Sequence, residues 1–303
     1  MIIANPIYDV VFKYLMEDLE IAKGLISAII GEQVEELHFQ TREKIVDRAK
    51  TEIHPHLVSL QRLDFVAKIH TEDGKDKTVL IELQKARLSS DISRFRSYLG
   101  KRYQERDEIR ENGVVVKKGL PIVAIYILGF DLEPDMPACV KVDRRYLNLI
   151  TRRRIKAECD FIESLSHDLY VIQARKLSHK VKTDLERILS VFGQVDFSDK
   201  HGHDINFPEY KKESHLVTQI IRRLAKIREE EEVRESMDFE DLIYEEFETG
   251  LKERTATLTQ TLKLTSSELK EAKAREEEER RQKEEAKAEI ERLKKLLKKS
   301  GKD

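Results

Sequence analysis

At 303 residues the chain is long enough for one or two domains and a substantial buried core. Hydrophobic residues make up 40%, the level of a globular protein, and charged residues 38%, well above the usual quarter. The net charge is only −2, so no overall basicity advertises a nucleic-acid partner, and any such affinity has to come from a local patch.

The two cysteines, Cys139 and Cys159, form no CxxC pair, which argues against a disulfide framework or a cysteine zinc site. The opening MIIANPIYDV has no basic stretch followed by a long apolar one, so it does not read as a signal peptide. No run approaches the roughly 18 to 20 apolar residues of a membrane helix. The expected setting is the cytoplasm of a bacterium-like cell, with no membrane partner.

In chain order, residues 6–31 read as one or two amphipathic helices. Val10, Val11, Tyr14 and Leu15 fall at helical spacing, as do Ile21, Leu25, Ile26, Ile29 and Ile30. Pro6 suits a first helical turn and Gly31 a stop. Residues 34–46 carry a moderate strand alternation. A hairpin is predicted over 61–85, its strands flanking a turn with Asp73-Gly74. On the first strand Arg62, Asp64, Val66 and Lys68 share a face; on the second, Leu80, Glu82 and Gln84 do.

Residues 88–111 read as a basic helix carrying Arg94, Arg96, Lys101, Arg102 and Arg106. LPIVAIYILGF is nearly all apolar and too short to span a membrane, so it reads as a strand covered on both faces. Strand-like pieces follow at 139–149 and 169–175, then a helix at 181–193. FSDKHGHDINFPEY reads as a loop, and nearly everything from about 213 onward as helix. This order predicts an α/β fold with a mixed sheet flanked by helices. The expected division is a domain at 1–180, a helical region at 181–250 and a charged helix or coiled coil at 251–303.

From Leu251 a heptad runs unbroken. One core position holds Leu251, Leu258, Thr265, Ala272, Glu279, Ala286 and Leu293; the other holds Thr255, Leu262, Leu269, Glu276, Lys283, Ile290 and Leu297. Glu276, Glu279 and Lys283 interrupt the seam, so an imperfect coiled coil competes with a single charged helix held by Glu/Lys pairs.

For chemistry, the hairpin offers Asp64 and Glu82 from neighbouring strands on one face. Converging carboxylates can hold a hard cation, with the Leu83 carbonyl as an extra oxygen ligand. Gln84, two residues beyond Glu82, can only hydrogen-bond, to a water or a phosphate oxygen. By itself D-x(17)-E-x-Q is a weak pattern, explained as well by solvent-facing polar residues on an amphipathic hairpin. The apolar neighbours Phe65, Val66, Leu80 and Leu83 favour a buried or cleft position, where isolated carboxylates are costly unless compensated.

ANPIYDVVFKYLMED, RLDFVAKI, VLIELQKA, SRFRSYLGKRY and KGLPIVAIYILGF together resemble the successive blocks of the PD-(D/E)XK nuclease family transposases, also called recombination-promoting nucleases. The likeness covers roughly residues 4 to 150, in order. It implies a restriction-endonuclease-like core and a Mg²⁺- or Mn²⁺-dependent DNA endonuclease linked to mobile elements, recombination or defence. By motif position Asp64 matches the family's metal-binding aspartate, Glu82 its second acid, and Gln84 the place that lysine holds in the wider superfamily.

A positive charge must then come from elsewhere. Asp9 and Lys13 lie one helical turn apart in the Asp-x-x-Phe-Lys block that begins many members of that group; a local salt bridge explains the same pair. Lys85, Arg87, Arg94, Arg96, Lys101 and Arg102 could contact the phosphate backbone, or could form a solvated helix face. Tyr98 and Tyr103 read as core anchors. His54, His56, His201 and His203 lack a third ligand of known proximity, so a metal site there is weakly supported. Two functions compete: an endonuclease that dimerises through its C-terminal helices, and a catalytically inactive adaptor of the same fold that binds DNA or a protein through the tail.

Overall fold

The computed structural model describes residues 1–39, 65–72, 74–85, 91–111, 114–157, 159–178, 180–208 and 214–300. Two compact units are present, Met1–Glu240 and Asp241–Asp303.

The first unit opens with strand β1 (Ile2–Ala4) and helices α1 (Asp9–Met16) and α2 (Leu19–Ile30). Asp18 caps α2, its side chain accepting from the N–H groups of Glu20 and Ile21, and Gly31 ends it at φ 74°, where a Cβ would be strained. Pro6 lies before the helix rather than in its first turn, because Tyr8 takes the N-cap position of α1. Strand β2 (Val34–Phe39) then leads toward the hairpin of β3 (Phe65–Thr71) and β4 (Asp76–Gln84). Those two pair antiparallel from Phe65↔Ile81 to His70↔Asp76, and Gly74 supplies a positive φ in the turn.

Helix α3 (Asp91–Gln104) stops earlier than the charge pattern predicts. Asp107–Glu111 forms a strand, β5, paired antiparallel with β6 (Val114–Lys118). Next come β7 (Ile122–Leu128), β8 (Cys139–Val142), the small hairpin β9 (Tyr146–Leu147) and β10 (Arg154–Ile155), helix α4 (Asp160–Glu163) and β11 (His167–Gln173). Helix α5 (Asp184–Leu189) starts in a capping box of Thr183 and Glu186. The polar loop at 197–210 contains strand β12 (Asp204–Asn206), which pairs antiparallel with β1. Helix α6 (His215–Ile227) buries Val217, Ile220, Ile221, Leu224 and Ile227, a one-sided stripe. Helix α7 (Glu231–Ser300) completes the described chain.

The main sheet has six strands in the order β2-β3-β4-β7-β11-β8. β2, β3 and β4 run antiparallel, β4, β7 and β11 parallel, and β8 antiparallel to β11. This is the mixed α/β sheet flanked by helices that the element order predicts. Its two faces differ. Val79, Ile81, Leu83, Val123, Ile125 and Ile127 join α1, α2, α5 and α6 in one large apolar core. On the other face Leu80, Ile122 and Ala124 form a small cluster with Phe95 and Leu99 of α3, with Val66, Tyr126 and Leu169 partly buried alongside.

Within Asp241–Asp303, Leu258, Leu269, Ile290 and Leu293 are exposed, and all four occupy heptad core positions. Among the described residues no helix is long and apolar enough to cross a membrane.

Candidate active site

Strand β4 is buried along almost its whole length because it has paired strands on both sides and packed side chains on both faces. Period two places Leu83 with the large core and Glu82 and Gln84 together on the α3 side. Glu82 has 0% exposure and Gln84 5%. Their cross-strand neighbours on β7 are Tyr126 and Leu128. The Gln84 amide nitrogen is buried and has no hydrogen-bond partner among the described residues. It is a donor held ready in a dry place, where an unsatisfied amide costs about 1 to 3 kcal/mol. Asp64 and Arg87 lie outside the described residues, so Glu82, Leu83 and Gln84 are the part of the motif whose positions are defined.

The end of this strand is pinned by its neighbour. The Gly129 N–H donates to the Gln84 carbonyl at 2.7 Å. A Cβ on Gly129 would fall 2.5 Å from the Lys85 carbonyl oxygen, so only glycine permits this approach. Lys85 itself turns to the opposite face, its Nζ 3.6 Å from the centre of the Tyr8 ring. Tyr8 is the residue before α1, so the tip of β4 meets the start of that helix. Asn5 fixes the approach: its amide donates to the Gln194 side chain at 2.9 Å and to the Gly202 carbonyl at 2.7 Å. Tyr8 also stands edge-on to His203, with ring centres 5.2 Å apart. Neither Tyr8 nor Gly129 was singled out by the motif spacing; the ILGF strand end is the one sequence signal for the glycine.

On α1, Lys13 Nζ lies 2.6 Å from Asp9 Oδ2, both side chains being more than a third exposed. The Asp9 N–H donates to Glu240 at 3.1 Å. Asp9 Oδ1 is buried with no hydrogen-bond partner among the described residues. The local salt bridge is therefore present, and it leaves one carboxylate oxygen of Asp9 unused.

The basic residues of α3 separate into two sets. Arg96 and Lys101 are exposed, Lys101 lying 5.9 Å from the Tyr98 ring. Arg102 is buried. Its guanidinium bonds Asp107, donates to Thr78 Oγ1 at 2.5 Å and pairs with Glu105 at 3.0 Å. Lys68 reaches the same Asp107 at 2.9 Å. Arg102 thus ties α3 to the sheet and is turned away from solvent; Phe95, Leu99 and Arg102 form one helical stripe. The backbone of Arg94 belongs to α3, and its side chain lies outside the described residues. Tyr103 is 40% exposed and hydrogen-bonds His167 Nδ1 at 2.8 Å, so it is a surface contact and not a core anchor.

His54 and His56 lie outside the described residues. His201 and His203 stack 5.5 Å apart. Among the described residues no three His, Cys, Asp or Glu side chains are grouped to hold a metal ion. Glu82 and Gln84 nonetheless present the hard oxygen donors that Mg²⁺ and Mn²⁺ prefer.

No protein-family model matches this chain, and neither does any curated protein or solved structure.

Proposed function

We propose that this protein is a divalent-metal-dependent DNA endonuclease of the PD-(D/E)XK, recombination-promoting type. The observation that carries the reading is the pairing of a fully buried Glu82 carboxylate with the unsatisfied amide of Gln84 on one face of β4. The resemblance assigns the Glu82 position a metal ligand, and its carboxylate is a hard oxygen donor of the kind Mg²⁺ and Mn²⁺ take. The mixed sheet with helices on both faces is compatible with a restriction-endonuclease-like core.

Asp64, Glu82 and the Leu83 carbonyl would hold Mg²⁺ or Mn²⁺. When bound, such a cation makes water a better nucleophile at neutral pH and offsets charge on the phosphodiester. Gln84 donates its free N–H to a phosphate oxygen or orients the attacking water. Asp9 and its partner Lys13 stand on α1 and Lys85 faces Tyr8, on the side of β4 opposite Glu82 and Gln84, so these three leave the catalytic set and the positive charge comes from the α3 side. Arg96 and Lys101 contact the phosphate backbone, with Arg87 and Arg94 as further contacts. Arg102 leaves that set, because its charge is already met by Asp107 and Glu105. The exposed heptad leucines of α7 form the seam of a homodimer, which would set two active sites on opposite strands.

The test is nicking of supercoiled plasmid in Mg²⁺ or Mn²⁺. Wild-type protein should nick; Asp64→Ala and Glu82→Ala should each lose at least about 100-fold in rate, the scale of removing a metal ligand. Equal nicking by the variants assigns the activity to a contaminant.

One observation favours the adaptor reading: Gln84 stands where a lysine would supply charge. An adaptor binds DNA or a protein through α7 and shows no metal binding that depends on Glu82.

A further inference from the structure

The stretch between β8 and β11 carries an unusual concentration of exposed apolar and basic side chains. The β9–β10 hairpin pairs Arg154↔Leu147 and Ile155↔Tyr146. Its tip is a built loop. Asn148 Oδ1 accepts from the N–H groups of Ile150 and Thr151, both at 2.9 Å, and the Asn148 N–H donates to the Arg153 carbonyl at 2.9 Å. The Arg152 N–H returns to the Asn148 carbonyl at 2.8 Å, with Arg152 at φ 57°. A left-handed arginine costs free energy that a relaxed loop would avoid.

The conformation holds Leu149 and Ile150 in solvent, 78% and 92% exposed. Around them Arg152, Arg153, Arg154 and Lys156 are all exposed, and none is in a salt bridge with any described residue. Arg144 and Arg145, at the base, are paired, with Asp168 and Glu163 and with Asp143 respectively. Four exposed cations without a salt bridge to any described residue, Arg154 lying also in the field of Asp143, stand beside exposed aliphatic side chains and fit a polyanion with an apolar interior.

We propose that this hairpin is a duplex-DNA contact, with Arg152, Arg153, Arg154 and Lys156 on the phosphates and Leu149 and Ile150 as a wedge against base steps. The inference rests on the DNA-directed reading above and deepens it. Arg144 bonds Asp168 at 2.8 Å and the adjacent His167 bonds Tyr103 at 2.8 Å, which ties the base of the hairpin to the end of α3. Leu149 and Ile150 are the most exposed aliphatic residues of the hairpin and match a groove wedge, with Leu147 and Ile155 52% and 43% exposed behind them; lipid binding is the alternative that the vesicle measurement decides.

The test is fluorescence anisotropy of the full chain with a labelled duplex, in EDTA so that no strand is cut, over a series of salt concentrations. One variant is Arg152→Gly with Arg153→Ser and Arg154→Ser, in which glycine suits the positive φ. The other is Leu149→Ser with Ile150→Ser. Circular dichroism melting confirms folding of both. The basic variant should bind at least about tenfold more weakly, with a log–log salt slope reduced by about 2 to 3, near 0.9 per lost phosphate contact. The apolar variant should keep the slope and lose the rise in 2-aminopurine fluorescence that reports unstacked bases. Wild-type affinity and slope in both folded variants would overturn the hairpin contact, while plasmid nicking measured in parallel would leave the nuclease reading standing. Failure of the wild type to bind duplex at all would sink the hairpin contact, and plasmid nicking in Mg²⁺ would then decide the nuclease reading separately. Loss of binding to phosphatidylserine vesicles, with duplex binding unchanged, would reassign the hairpin to membranes.

Discussion

The two faces of the central sheet use the same strands for different ends. Toward α1 and α2 the alternate residues Val79, Ile81 and Leu83 of β4 and Val123, Ile125 and Ile127 of β7 are apolar, and the side chains merge into one continuous core. Toward α3 the apolar contact among the described residues is a small cluster of Leu80, Phe95, Leu99, Ile122 and Ala124, with Val66, Tyr126 and Leu169 partly buried against it. The remaining positions on β4 hold Thr78, Glu82 and Gln84, all buried. Thr78 is answered by Arg102 within the chain, whereas the Gln84 amide nitrogen has no partner among the described residues. One face therefore stabilises the domain, and the other keeps the Gln84 amide dry with no partner among the described residues. Buried polarity of this kind is expensive, which is why its residual demand points to a ligand.

The contrast can be broken by substitution. Phe12, fully buried in the large core, should cost about 3 to 5 kcal/mol when changed to alanine. Urea denaturation reads this directly, and a loss below 1 kcal/mol, roughly the level of a surface change, would deny that face its structural role. On the α3 side, Asp107→Ala strands the Arg102 charge and should cost about 3 kcal/mol. The double variant Asp107→Leu with Arg102→Met should recover part of that loss, because Lys68 is partly exposed and can turn to water. Additive losses would mean that Arg102 and Asp107 are not coupled.

The smallest effect lies at the hairpin turn. His70 Nδ1 is 2.7 Å from Asp76 Oδ1, and that hydrogen bond, opposed by desolvation, raises the histidine pKa above its ordinary value. The folded state therefore binds this proton more tightly than the unfolded chain. The contribution is complete below the unfolded value of about 6.5 and is lost as pH rises through the higher folded value. His70→Asn should lower the melting temperature at about pH 5.5 and leave it nearly unchanged at about pH 8.5. An equal shift at both pH values would assign the effect to packing.

Much of the scaffold was legible in the sequence because its signals are local. Alternation in QRLDFVAKIH and TVLIELQKA, with a glycine turn between them, specifies the hairpin and sets Glu82 and Gln84 on one face. Gly31 and the apolar LPIVAIYILGF specify a helix end and a doubly covered strand in the same way. Other features depend on contacts between distant segments. β12 is three residues inside a polar loop, and it is a strand only because β1 lies beside it. Arg102 carries a charge that suggests solvent, yet its place one turn past Phe95 and Leu99 turns it inward toward Thr78. The basic pattern carries the helix on to Glu111 and so takes β5 for a helix end, although Asn112-Gly113 after it is a strong hairpin signal. The meeting of Lys85 with Tyr8 and the exposure of Ile150 have no local signature in the chain.

Membership of Glu82 in a divalent cation site is tested by calorimetric titration of the full chain with MnCl₂, which does not rely on catalysis. Wild-type protein should show a saturable binding event that disappears in Glu82→Gln while the melting temperature of the protein is kept. Identical isotherms for the two proteins, or no binding by either, would contradict it.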